Sequence, residues 1–130
     1  MKEKYISIKN KYPASLVLIK SGSFYITFLD DALILNYLFF YKIVNDKVGF
    51  PTSNLDKIVS KLDDNNISYY INDNNYNNEI NNYNNILYKA KTNYFNSTNL
   101  NLLIDEIKFL VNCDFNNLKL IKEYIQTLKK

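Results

Sequence analysis

Residues 15–32 read SLVLIKSGSFYITFLDDA, and this stretch decides the fold. Leu16 to Lys20 is a short apolar run of β-formers. Ser21-Gly22-Ser23 breaks it, Phe24 to Phe28 resumes it, and Asp30-Asp31-Ala32 opens a helical pattern. Two strands around a glycine, followed by a helix, predict a β-hairpin feeding an α-helix. Asp30 or Asp31 suits the helix N-cap, where an acidic side chain meets unpaired amides and the positive end of the helix dipole. Leu33, Ile34, Tyr37 and Leu38 make that helix apolar on most sides, so it is expected to be buried.

Upstream, Lys2 to Lys11 carries Tyr5, Ile8 and then Tyr12 at near-helical spacing, and Pro13 ends the pattern. Downstream, Tyr41–Val44 and Lys47–Phe50 flank Asn45-Asp46 and read as a second hairpin, stopped by Pro51. Leu55, Ile58, Val59 and Leu62 fall at i, i+3, i+4 and i+7 of an amphipathic helix, and Ile67–Ile71 reads as a last strand. The resulting fold class is α/β, a mixed β-sheet packed with helices, over residues 1–71. Residues 72–85, NDNNYNNEINNYNN, read as an Asn-rich linker or loop, because asparagine competes with helix and strand hydrogen bonds. Residues 86–130 read as a mostly helical segment. Ile86–Phe95 fits a strand or a short helix. Ser97 or Thr98 then caps a helix carrying Leu100, Leu103, Ile104, Ile107 and Val111. Asp114 caps a second one carrying Leu118, Ile121, Ile125 and Leu128, which completes a C-terminal helical hairpin.

Composition narrows the chemistry. All 16 basic residues are lysines against 13 acidic residues, a net charge of +3. That is mild for a nucleic-acid binder, and bidentate guanidinium contacts are absent. There is no histidine, the commonest general base and metal ligand. The carboxylates, lysines and hydroxyls form no convincing catalytic spacing, so no enzyme, cofactor or metal is expected. Cys113 is a lone cysteine in an apolar helical context. It suits a reducing compartment, reads as a small buried hydrophobe, and points to the cytoplasm. No apolar run reaches the ~18 residues of a membrane span.

Tyr5 with Ile8-Lys9, then Tyr12-Pro13, Leu16–Ile19, Gly22-Ser23-Phe24-Tyr25, Phe28 and Asp30-Asp31-Ala32 follow in the order and spacing of a known module. Over about residues 2–71 the chain resembles the N-terminal mismatch-recognition domain (domain I) of the MutS DNA mismatch repair family. The family pattern is roughly QY-x-x-IK-x-x-x-P, an apolar strand, GDFYE-x-F, and a helix beginning DDA. Val48-Gly49-Phe50-Pro51 is similar to its AGIP turn. The resemblance implies that Phe24 is a wedge that enters the minor groove and stacks on a mispaired base, which is cheap to unstack. The family's glutamate two residues on is Ile26 here, which can accept no hydrogen bond. Read as a strand residue alone, Phe24 also fits the core.

The expectation is therefore a stand-alone, non-enzymatic MutS-N-terminal-like module, an accessory DNA-associated protein of the kind a mobile element carries. Mismatch specificity is expected to be weak or absent. The partner would be double-stranded DNA, with Lys2, Lys4, Lys9, Lys11 and Lys20 as phosphate contacts, although without the resemblance those lysines fit a solvated face better. The alternative is a protein–protein adaptor that has kept the fold and lost DNA binding. A protein partner or a homodimer through the C-terminal helices is a further expectation, and no membrane is expected.

Overall fold

A computed structural model describes residues 1–129. The elements are α1 (Lys2–Lys11), β1 (Leu16–Ser21), β2 (Phe24–Phe28), α2 (Leu29–Phe39), β3 (Lys47–Pro51), a short 3-10 turn (Thr52–Asn54), α3 (Leu55–Asp64), β4 (Tyr69–Ile71), β5 (Asn74–Tyr76), α4 (Tyr83–Cys113) and α5 (Asn116–Leu128). The chain is α/β, and its five strands form one mixed sheet in the order β3-β2-β1-β4-β5. Two compact units divide it, Met1–Tyr94 and Phe95–Lys130.

In the first unit, β1 is the middle strand. It pairs antiparallel with β2 and parallel with β4. Leu16, Val17, Leu18 and Ile19 are all buried, as a strand covered on both faces requires. Side chains alternate across the sheet. Val17 and Ile19 pack with Tyr5 and Phe28 in a small cluster that also takes in Ile8 and Ile26. Leu16 and Leu18 join the larger core with Ile34, Leu35, Phe50, Ile58, Leu62 and Tyr83. β1 turns into β2 through Gly22-Ser23, and Gly22 has φ +59° at the first central position, the pattern of a type II′ turn.

The second expected hairpin forms in part. Asn45 and Asp46 adopt φ +53° and +60°, as a type I′ turn demands. Val44 and Lys47 exchange both backbone hydrogen bonds, at 2.9 and 3.1 Å. Residues 41–43, however, do not continue as a strand. Tyr41 turns inward and stacks on Phe50 at 5.9 Å, and its carbonyl accepts a bond from Asn36. β3 pairs instead with β2, over Phe24↔Pro51 to Phe28↔Lys47.

Residues 72–85, expected to be a linker or loop, hold a turn and a short strand, and residues 77–82 run as loop between β5 and α4. Asn72-Asp73, at φ +52° and +63°, makes another two-residue turn of the same kind, and β5 pairs back on β4. Tyr76 stacks on Tyr69 at 4.9 Å. α4 then begins at Tyr83, and Tyr83, Ile86 and Ala90 are buried in the core. The first unit thus runs well past residue 71, because its core needs the start of α4. The undecided stretch 86–95 is helix.

In the second unit, the remainder of α4 and α5 meet at Asp114-Phe115. The Asp114 carboxylate accepts the Asn116 amide at 2.9 Å. Cys113, read as a buried hydrophobe, is exposed at this turn. Among the described residues, no helix is long and apolar enough to cross a membrane.

Candidate nucleic-acid interface

Phe24, Ile26 and Phe28 lie on one face of β2, two residues apart. Burial falls steadily toward the turn. Phe28 is 6% exposed and packs on Tyr5 at a centroid distance of 5.3 Å; Ile26 is half-buried; Phe24 is 49% exposed. Its strand neighbours are Ser21 and Pro51, and Thr52 donates its amide to the Ser23 carbonyl at 2.9 Å. The turn is thereby tied to both strands, and it presents an aromatic ring at the end of a covered apolar stripe.

The five candidate lysines separate into three groups. Lys20 sits one residue before Ser21, the partner of Phe24, and lines a small pocket of about 140 Å³ with Lys4, Ile8, Tyr70, Asn72 and Asp73. Lys2 and Lys11 are exposed on α1. Lys9 is turned inward. Its ammonium donates to the Ser15 carbonyl at 2.6 Å, to Asp31 at 2.9 Å and to the Tyr83 hydroxyl at 2.8 Å. An ammonium has three donors, and all three are used, so Lys9 has none left for a phosphate. It also lies over the Tyr83 ring, 4.2 Å from the centroid.

Asp31 is the centre of this buried cluster, and it is not a cap. α2 begins at Leu29 after Phe28, with no side-chain capping bond, and Asp31 points from the first turn into the core. It is 0% exposed. One carboxylate oxygen accepts from Lys9 at 2.9 Å and Tyr83 at 2.6 Å, the other from Tyr5 at 2.6 Å and the Val17 amide at 3.0 Å. Four donors satisfy both oxygens, which is what a buried carboxylate requires. Asp30, its neighbour, is half-buried, its side chain 47% exposed, and approaches Lys91 at 3.8 Å. Burial, with the Asp31 charge behind it, pushes the Tyr5 and Tyr83 hydroxyls well above their ordinary 10.0, so both remain protonated donors.

The cluster joins α1, β1, α2 and α4 at one end of the sheet. Sequence reasoning did not find it. Tyr5 and Lys9 are spaced i, i+4 and so share a helix face, but nothing in the spacing showed that Asp31 and Tyr83 would meet them. Three of its four side chains, Tyr5, Lys9 and Asp31, occupy positions of the resemblance pattern. Those positions fix the scaffold, and Phe24 and Ile26 occupy the presenting edge.

Together these features define a small α/β module, a mixed sheet packed between helices with an aromatic at a rigid hairpin tip. The model of the MutS domain I family matches residues 1–93, and the chain belongs to that family. The match extends through β5 into α4, and nearly coincides with the first compact unit. No curated protein matches the chain.

Proposed function

We propose that the chain is a non-enzymatic, cytoplasmic accessory module that associates with double-stranded DNA through the tip of the β1–β2 hairpin. The observation that carries this reading is Phe24. A large aromatic ring stands half out of the protein at the end of a strand whose other apolar residues are covered, with Lys20 beside its turn and Lys4 in the adjoining pocket. An exposed ring on a fixed backbone can stack on an unstacked base, and the two ammonium groups can neutralise flanking phosphates. Membership of the MutS domain I family supports the same face.

Ile26 sets the limit of the activity. It is half-buried against the Tyr5 cluster and offers no acceptor to a base edge. The module is therefore expected to prefer easily unstacked sites only weakly. With Lys4 and Lys20 on phosphates, and each contact contributing about −0.9 to the logarithmic salt slope, the slope is expected near −2, or about tenfold in affinity for a fourfold change in salt.

The test is fluorescence-anisotropy titration of a labelled duplex at several salt concentrations, with the native chain and with Lys4→Gln/Lys20→Gln. The expected result is binding whose salt slope falls by about 2 units in the variant. An unchanged slope would remove this face from the account. No binding at low salt would favour the adaptor reading, with the apolar edge of Phe24 and Ile26 as a protein contact.

A further inference from the structure

The unit Phe95–Lys130 has no core of its own. Among its described residues none is buried, and Ile107, Val111 and Ile121 are the apolar side chains nearest to being covered. Thirteen large apolar side chains stand exposed along it, among them Leu103, Phe109, Phe115, Leu120, Tyr124 and Leu128. A segment of below roughly 40 residues ordinarily needs disulfides, a metal or oligomerisation to hold together. One cysteine excludes a disulfide within the chain. Among the described residues no three His, Cys, Asp or Glu side chains stand close enough to hold a metal ion.

The exposed surface is patterned by charge. One groove lies on α4, where Leu102, Phe109 and Leu110 are flanked by Asp105 and Glu106. A second lies on α5, where Phe115 and Leu118 are flanked by Lys119, Lys122 and the single acid Glu123, a net positive rim. Between the helices runs a third, almost wholly apolar groove, lined by Leu103, Ile107 and Tyr124 among others. An acidic-rimmed apolar face and a basic-rimmed apolar face on one hairpin complement each other across a two-fold axis. In such an interface, residue i of one copy meets j of the other and j meets i.

We propose that this hairpin docks onto the hairpin of a second copy of the same chain. The α4 acidic face of each copy lies against the α5 basic face of the other, and the four helices form a bundle around the apolar groove. The area suffices. The ten exposed large side chains that line these grooves, each roughly half exposed, offer on the order of 1,000 Å² per copy, against the roughly 800 Å² per partner of a stable interface.

The experiment is sedimentation-equilibrium analysis of the full chain in reductant, which keeps exposed Cys113 from cross-linking copies. Two charge-reversal variants accompany it, Asp105→Lys/Glu106→Lys and Lys119→Glu/Lys122→Glu. The native chain is expected to be a dimer. Each variant alone brings at least four like charges together at each contact, and its dimer dissociation constant is expected to rise by about tenfold or more. Mixed in equal amounts, the two variants place opposite charges at both contacts and are expected to recover native-like dimerisation as a heterodimer. That recovery distinguishes docking from damage within one hairpin, since a misfolded variant would not be rescued in trans. A native chain that stays monomeric at high concentration would overturn the proposal. So would variants that dimerise as the native chain does, or a mixture that remains monomeric.

Discussion

Asp31→Asn and Asp30→Asn alter neighbouring carboxylates at the start of one helix, and their costs should differ several-fold. At Asp31 the substitution removes the charge and replaces one accepting oxygen by an N–H group. Two of the four donors, drawn from Tyr5, Tyr83, Lys9 and the Val17 amide, then lose their acceptor. Lys9, whose side chain is largely covered, loses its counter-charge. Removing one partner of a buried pair costs about 3–5 kcal/mol. Set against a total stability of roughly 5–15 kcal/mol, this is a large fraction. At Asp30 the substitution loses only a half-exposed pair with Lys91 and part of a helix-dipole interaction, below about 1 kcal/mol in all. Urea unfolding followed by far-ultraviolet circular dichroism measures both. Should Asp31→Asn fail to fold, Lys9→Met in the same chain removes the orphaned cation and should recover part of the loss. Costs for Asp31→Asn and Asp30→Asn within about 1 kcal/mol of each other would mean that both act only at the helix end, and would refute the buried-cluster account.

Alkali should unfold the chain through its buried phenols. Tyr5 and Tyr83 titrate far above the ordinary 10.0 in the fold, and burial with a hydrogen bond to Asp63 pushes Tyr69 up to about 12. Their contribution is intact below pH 10 and is lost as pH rises above it, at up to about 1.4 kcal/mol per pH unit for each group. Tyrosinate absorbance from these residues should therefore appear together with the loss of circular dichroism; full titration near pH 10 with the fold intact would contradict this. Phe40 ends α2 at φ +63° and is 89% exposed, a position that glycine fills without strain. Phe40→Gly should stabilise the chain by about 0.5–1 kcal/mol and Phe40→Val should destabilise it, as the thermal midpoints would show.

The β1–β2 hairpin and α3 were legible in the sequence, because a glycine with positive φ and a clean i, i+3, i+4, i+7 pattern are local signals. The turn at Asn45-Asp46 was legible for the same reason. The strand expected before it was not formed, because the edge of β2 takes β3 and Tyr41 is drawn onto Phe50. β5 was hidden by composition. Asn72-Asp73 carries the same turn signal as Asn45-Asp46, but the surrounding asparagines read as spacer, and the short strand is held by its pairing with β4 and by the stacking of Tyr76 on Tyr69. The start of α4 depends on Tyr83 reaching Asp31, a contact across 52 positions that no local pattern encodes. The same holds for Lys9. Its residue type suggested a phosphate, and its three buried acceptors decide otherwise. Phe24 was legible in position but not in exposure, since the strand pattern alone favoured the core and only the resemblance brought the tip level with it.

The most direct measurement is the affinity of the native chain and of Phe24→Ala for one labelled duplex, matched and with a single mismatch, at low salt. Stacking on a base is worth about 1–3 kcal/mol, so Phe24→Ala should weaken binding by about fivefold or more, and the mismatch should help the native chain only slightly. Its fold should be unchanged, because the ring is half exposed. Equal binding by native and Phe24→Ala protein would contradict the claim that the hairpin tip meets DNA.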